Sequence, residues 1–151
     1  MPALKTRLHD DLTAAMKQRD ELRTATLRMV LTAVTTEEVS GREARELSDG
    51  EVVRVLTKQA KQRREAADAY DKAARPELAA RERDELAVLE GYLPAQLGDE
   101  ELAALVAAAV AETGATSPRE MGKVMKVLAP RVAERAEGGR VAAAVRTALG
   151  R

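Results

Sequence analysis

The side chains able to do covalent or acid–base chemistry are few in this sequence. His9 is the only histidine and there is no cysteine, which excludes thiol nucleophiles, thiolate metal sites and a pair of histidine ligands. Ser40, Ser48 and Ser117 lie where turns and helix caps favour serine, and neither a glycine-rich phosphate loop nor a nucleophile elbow is present. We therefore expect no catalytic residue, no metal and no cofactor.

Basic side chains form a different kind of candidate site in "SPREMGKVMKVLAP", residues 117–130. The apolar residues of this stretch recur at helical spacing, so Lys123 and Lys126 fall on the opposite, outward side. Gly122 costs roughly 1 kcal/mol in a helix relative to alanine, yet it bares backbone beside the lysines, and N–H groups near a helix start suit a phosphate oxygen. Alternatively, the glycine allows close helix packing and the lysines are merely solvated. Spacing alone leaves both interpretations open.

A second basic set lies in the middle of the chain. Arg54, Lys58 and Lys61 follow one another at i, i+4 and i+7, with Arg64 beside them, so all four fall near one face of a helix. Acidic neighbours would neutralise part of this charge. A solvated helix face is the interpretation we favour, and a secondary phosphate-binding face is the alternative.

Composition indicates which elements position these residues. The 151 residues are 45% hydrophobic but only 1% aromatic, so alanine, leucine, valine and methionine must build the core, which favours closely packed helices. The formal net charge is zero, so no global field draws the chain toward nucleic acid or membrane. No apolar run approaches the roughly 18 residues needed to cross a bilayer. We expect an all-α, cytoplasmic protein that does not enter a membrane.

Cap and breaker residues predict the helices of the first two thirds of the chain. Two helices precede Gly41, and "SDGE" at residues 48–51 is a capping-box pattern that starts a long third helix. Pro76 pushes the residue before it out of helical conformation, so a fourth helix should follow and end at Gly91. We predict an N-terminal bundle of three to four helices.

The best candidate for a domain boundary is "GYLPAQLGDEE", residues 91–101, because its glycines and proline interrupt helices and the charge changes across it. Residues 94–114 hold four acidic and no basic side chains, whereas residues 115–151 hold eight basic and three acidic ones. We predict an N-terminal domain over residues 1–93 and a small C-terminal helical domain over residues 94–151.

Within the C-terminal domain, the acidic turn after Gly98 predicts one helix, and Ser117 with Pro118 predicts the start of the next. Pro130 is expected to end or kink that helix, with a short helix over residues 130–136 after it. The glycines of "EGG", residues 137–139, are expected to turn the chain before a last helix.

Several segments, taken in order, resemble the small YqeY-like proteins, also called GatB/YqeY-domain proteins. They are "LRMVLTAV", "LSDGEVVRVLTKQAKQRREAADAY", "ELAVLEGYLPAQL" and the stretch from "GATS" onward. The C-terminal part also resembles the tail domain of the B subunit of glutamine-dependent aminoacyl-tRNA amidotransferase. It shares a Gly-x-x-Met-Lys element, here Gly122, Met125 and Lys126, and a basic–glycine turn, here Arg135 to Arg140.

The resemblance implies a helical bundle followed by a tail domain that contacts the body of tRNA. It also brings the family label of carbon–nitrogen ligase with glutamine as amido donor, but the amidase and kinase-like domains that hold this chemistry have no counterpart here. We therefore expect an accessory module that binds tRNA without an active site of its own. The expected RNA-binding residues are Gly122, Lys123, Lys126, Arg131, Arg135 and Arg140.

Two alternatives belong to other functional classes. A protein-interaction module that docks on a larger complex fits the zero net charge and the two helical parts equally well. An enzyme that transfers the amide of glutamine would show glutaminase activity, and we expect none. Because the sequence has almost no aromatic residues to stack on bases, RNA binding would have to be electrostatic and based on shape.

Overall fold

Seven α-helices and two 3₁₀ turns account for most of residues 3–150, the part of the chain that the computed structural model describes. No strand occurs in that part, so the all-α prediction is confirmed. None of its helices is both long enough and apolar enough to span a bilayer. Backbone contacts divide the chain into two compact units, Met1–Leu93 and Pro94–Arg151, which we call the N-terminal and the C-terminal unit.

The N-terminal unit is a bundle of four helices. They are α1 (Ala3–Lys17), α2 (Glu21–Glu38), α3 (Asp49–Lys72) and α4 (Pro76–Glu90). Each helix contributes a leucine with no exposed surface to one shared core: Leu8, Leu27, Leu56 and Leu89. Burying each of these side chains stabilises the fold by about 1.5–3 kcal/mol relative to leaving it exposed.

Capping explains where α3 and α4 begin. The Ser48 side chain accepts a hydrogen bond from the Glu51 backbone N–H, and the Glu51 carboxylate accepts one from the Ser48 N–H, so the predicted capping box is confirmed. Hydrogen bonds from Arg45 and Ser48 lower the pKa of Glu51 to about 2. Pro76 is the first residue of α4, where its missing N–H needs no intrahelical partner.

A partly buried charge cluster joins α3 to α4. Arg63 Nε lies 3.1 Å from Glu82 Oε2, and Arg63 Nη1 lies 3.5 Å from Glu85 Oε2. Less than a fifth of each of the three side chains is exposed. Burial raises the pKa of Glu82, and the charge of Arg63 offsets part of this rise. Arg63 thus contacts two carboxylates in the interface between these helices, and Glu85 also pairs with Arg81 at 3.2 Å.

Tyr92, just after α4, fastens the end of the N-terminal unit to its first two helices. Its hydroxyl donates a hydrogen bond to Asp11 and accepts one from Arg23 at 3.3 Å. The Arg7 guanidinium lies 4.6 Å from the ring centroid, a distance suited to a cation–π contact. Burial, together with the hydrogen bond to Asp11, raises the pKa of Tyr92 to about 12.

The C-terminal unit packs three helices without an aromatic side chain. They are α5 (Asp99–Thr113), α6 (Met121–Val132) and α7 (Gly138–Leu149), with 3₁₀ turns at Pro118–Glu120 and Ala133–Arg135. The fully or nearly fully buried core residues include Leu102, Val106, Val124, Leu128, Val141 and Val145. As predicted, α5 has an acidic first turn. Gly114 caps its end with φ 68°, a left-handed conformation that glycine adopts without strain.

The prediction of a separate short helix over residues 130–136 was wrong. Instead, α6 continues through Pro130 to Val132, and a 3₁₀ turn follows. Proline in a helix removes the hydrogen bond to the carbonyl four residues earlier, here that of Lys126. Continuing the helix places Val132 in the core at 3% exposure, and this burial offsets the lost hydrogen bond.

The prediction that residues 137–139 turn the chain was also wrong. Gly138 and Gly139 are the first two residues of α7. The change of direction occurs earlier, at Ala133 with φ 49° and ψ −132° and at the extended Ala136. Alanine is a poor residue for a positive φ, so the sequence contains no signal for a turn at Ala133.

Candidate nucleic-acid interface

The outward side of α6 carries the glycine and the two lysines that the sequence singled out. Val124 and Leu128 on the inner side have no exposed surface, whereas Gly122, Lys123 and Lys126 are exposed. The lysines therefore face solvent, as the helical spacing predicts. They extend from a rigid helix whose opposite side is fixed in the core of the C-terminal unit.

Gly122 leaves open space on this face. A Cβ atom placed there would meet nothing within 4 Å beyond the local backbone of its own helix. No described helix packs against the glycine, so the close-packing alternative finds no support. Gly122 therefore lowers the stability of α6 through its poor helix propensity, and no close packing contact compensates for this loss.

We expect Gly122→Ala to raise the free energy of unfolding of the C-terminal unit by about 0.5–1 kcal/mol, because alanine favours the helix and the space is open. Thermal and urea unfolding followed by circular dichroism would measure the change. Gly114→Ala is the matched control and should destabilise the unit, since its φ of 68° is strained for alanine. A Gly122→Ala protein less stable than wild type would reveal an internal role for the glycine.

The 3₁₀ turn that leads into α6 is capped by the chain's own carboxylate. Glu120 accepts hydrogen bonds from the backbone N–H groups of Thr116 at 2.6 Å and Ser117 at 3.3 Å. These bonds, that from Thr116 foremost, lower the pKa of Glu120. Because Glu120 occupies these donors, an external phosphate would have to be bound by side chains rather than by the N–H groups of Thr116 and Ser117.

The three arginines of the predicted RNA-binding set are each paired with an acidic residue of α5. The pairs are Arg131 with Glu112 at 2.6 Å, Arg135 with Glu101 at 3.7 Å and Arg140 with Asp99 at 2.6 Å. All three arginine side chains are between a third and a half exposed. These three arginines therefore differ from the two lysines on the outward face of α6, because each arginine has an acidic partner on α5.

Two of these arginines also hold the segment that leads into α5. Arg140 donates a hydrogen bond to the carbonyl oxygen of Leu97 at 2.7 Å, and Arg135 Nε donates one to that of Ala95 at 3.4 Å. In the opposite direction, the Leu97 N–H donates to the backbone oxygen of Arg135 at 2.7 Å. Arg135 and Arg140 thus have a structural role within the C-terminal unit.

The predicted secondary basic face lies on α3 of the N-terminal unit and comprises Arg54, Lys58, Lys61 and Arg64. Arg64 lies 3.6 Å from a carboxylate oxygen of Glu90. Glu37 and Glu51 line one surface pocket together with the first two basic residues. Acidic side chains therefore accompany this face, which favours the interpretation as a solvated helix surface.

The serines considered for catalysis have local structural roles. His9 is exposed on α1. The Ser40 hydroxyl donates to the backbone oxygen of Glu37 at 2.8 Å, and Ser48 and Ser117 belong to capping boxes. Among the described residues, no group of three or more histidine, aspartate or glutamate side chains is placed to hold a metal ion.

Arg119 is a candidate that the sequence interpretation missed. It lies in the 3₁₀ turn just before α6 and is exposed. The signal was its position four residues before Lys123 and seven before Lys126, a helical spacing. The residues "SPRE" were interpreted only as the start of a helix.

Comparison with known protein families gives one match that spans both units. The model of a family described as Yqey-like protein matches residues 5–149, nearly the whole chain. A search of curated proteins found no match.

Proposed function

This chain belongs to the Yqey-like protein family, and we propose that it is an accessory module whose C-terminal unit binds the body of a tRNA. The observation that carries the proposal is the outward face of α6, where Lys123 and Lys126 lie beside the open backbone of Gly122. The resemblance of the C-terminal part to the tail domain of the amidotransferase B subunit favours tRNA as the ligand. The proposed role is binding, without catalysis by this chain.

Binding in this proposal is electrostatic. The C-terminal unit has no aromatic residue on which a base could stack, so contact falls on phosphates. A lysine ammonium is a compact charge on a flexible stem and can follow a phosphate oxygen. Each phosphate contact releases counterions, so log affinity falls with log salt concentration, and the slope becomes steeper by about 0.9 per contact. The two lysines together should therefore contribute about 2 to that slope.

The test is a gel shift or fluorescence anisotropy titration of the full chain with bulk tRNA over a range of salt concentrations. We expect Lys123→Glu/Lys126→Glu to bind at least about tenfold more weakly than wild type, because it replaces two phosphate contacts by two repulsions. Its matched control is Arg54→Glu/Lys58→Glu, which makes the same change in charge on the exposed surface of α3.

The control variant should bind tRNA much as wild type does. The proposal fails if wild type gives no shift at tens of micromolar protein in low salt. It also fails if the α6 variant binds like wild type, or if both double variants weaken binding equally, since that would be a general effect of net charge. Circular dichroism should show that both variants keep their helices.

A protein-docking role is the second candidate, and one observation favours it. A groove of about 610 Å³ between α5 and α7 is lined largely by small apolar side chains, among them Ala103, Ala107 and Ala148. A partner that stays bound to the immobilised chain after nuclease treatment, and is lost from Ala107→Glu, would favour this role over RNA binding.

A further inference from the structure

Six of the eight basic residues of the C-terminal unit fall into two groups by what surrounds them. Arg131, Arg135 and Arg140 are each paired with an acidic residue. Among the side chains that the structure describes, neither Arg119 nor Lys126 has an ion-pair partner or a side-chain hydrogen bond. Lys123 reaches only Glu120 at 3.8 Å, and 69% of its side chain is exposed. A phosphate can replace water at the second group without breaking an ion pair shorter than 3.8 Å, whereas Arg131 and Arg140 would first have to leave partners at 2.6 Å.

The second group forms a row along one side of α6. Met121 has helical φ of −52° and ψ of −40°, so the 3₁₀ turn that holds Arg119 leads directly into the helix. Arg119, Lys123 and Lys126 then lie on successive turns, with steps of about 6 Å and about 4.5 Å along the axis. Gly122 comes three residues after Arg119 and four before Lys126, which makes it a surface neighbour of both.

We propose that Arg119 is the third cation of a row that contacts the sugar–phosphate backbone of double-stranded RNA. The inference rests on the proposed function and names the part of the RNA that is recognised. Arg119 lies at one end of the row, where its guanidinium can bind a phosphate with two parallel hydrogen bonds. The open space at Gly122, beside Arg119 and Lys126, lets the RNA backbone approach the helix closely.

A duplex fits this surface better than a single strand for two reasons. Proteins that bind single strands use aromatic side chains on which successive bases stack, and the C-terminal unit has none. Duplex RNA is recognised mainly by its shape and its phosphates. The phosphates of a duplex strand are held in place by the double helix, whereas a flexible single strand would lose conformational entropy on being ordered along a row of cations.

The experiment measures the affinity of the full chain for bulk tRNA, for an RNA duplex of unrelated sequence and for the separated strands of that duplex. The duplex should have about 20 base pairs, because domains that recognise duplex RNA by shape span about 16 base pairs. Arg119→Gln should weaken binding to tRNA and to the duplex several-fold and reduce the salt slope by about 1. Arg119→Lys, which keeps the charge, should retain most of the affinity. Arg146→Gln is the matched control, because Arg146 is exposed on α7 of the same unit, and it should bind like wild type.

The outcomes separate this inference from the proposed function. If Lys123→Glu/Lys126→Glu loses tRNA binding but Arg119→Gln binds like wild type, the row is wrong and the proposed function stands. If the separated strands bind as tightly as the duplex, the assignment to double-stranded RNA is wrong. If wild type binds none of the three RNAs, the proposed function fails and this inference fails with it. Equal melting curves for the variants show that the affinity changes are not caused by unfolding.

Discussion

Arg63→Met should lower the free energy of unfolding of the N-terminal unit by about 3 kcal/mol at neutral pH. The substitution keeps an unbranched apolar side chain between α3 and α4 but removes the only cation within 4 Å of Glu82, among the described residues. Glu82 and Glu85 would stay in the interface with less than a fifth of each side chain exposed. Glu85 keeps Arg81 at 3.2 Å, so the costly result is that one partly buried carboxylate, Glu82, loses its counter-charge.

The loss should depend on pH, with a sign that follows from Glu82. Burial already raises the pKa of Glu82 above its ordinary value of 4.5, and the attraction of Arg63 offsets part of that rise. Without Arg63 the pKa should rise further. A group with a raised pKa in the folded state stabilises the fold at pH values below its unfolded pKa, and this stabilisation is lost as the pH rises through the folded pKa. The defect of Arg63→Met should therefore be largest at pH 7 and smaller near pH 4.

Tyrosine fluorescence is the appropriate probe, because Tyr70 and Tyr92 are the only aromatic residues and both belong to the N-terminal unit. Arg83→Met is the matched control in the same interface. Its ion pair with Asp71 is about half exposed on both sides, so its removal should cost less than about 1 kcal/mol. Equal losses for the two variants, or a loss for Arg63→Met that does not change with pH, would contradict the role assigned to the buried cluster.

Leu128→Ala should unfold most of the C-terminal unit and leave the N-terminal unit folded. Leu128 has no exposed surface, and truncation of such a leucine costs about 2–5 kcal/mol. A core in a unit smaller than about 70–80 residues rarely supplies more than about 3–5 kcal/mol. We therefore expect Leu128→Ala to lose part of its helical circular dichroism before denaturant is added, while the urea transition seen by tyrosine fluorescence stays in place.

Leu56→Ala provides the converse, because Leu56 is equally buried in the N-terminal unit. It should move the tyrosine transition to lower urea concentration. If Leu128→Ala moved the tyrosine transition as far as Leu56→Ala does, the two units would unfold as one cooperative body. That result would contradict the predicted division into two domains.

The sequence predicted the helices whose ends are set by local chemistry. The capping box at Ser48 and Glu51, the proline that opens α4 and the acidic first turn of α5 each act within a few residues, so their effect can be inferred from the neighbouring residues. The prediction failed after Pro130 because the end of α6 depends on the burial of Val132 in a core built from distant residues. The turn at Ala133 carries no sequence signal at all.

Some features of the candidate site could likewise be predicted from local spacing, whereas others depend on how the helices pack. Helical spacing alone predicted that Lys123 and Lys126 face outward, because their direction depends only on the apolar stripe of their own helix. The pairing of Arg131 with Glu112 depends on how α6 packs against α5, 19 residues away in sequence, and single-sequence patterns do not contain that distance. The same helical spacing could have identified Arg119, but the residues around it were interpreted only as the start of a helix.

The hydrogen bonds that join residues 95–97 to Arg135 and Arg140 determine where a C-terminal fragment must begin. A fragment starting at Asp99, the first residue of α5, would lack the carbonyl oxygens of Ala95 and Leu97. Those oxygens are the acceptors for Arg135 and Arg140, which lie 40 and 43 residues further along the chain. A fragment starting at Pro94 keeps both acceptors and the Leu97 N–H. The smallest complete form of this unit therefore starts several residues before its first helix.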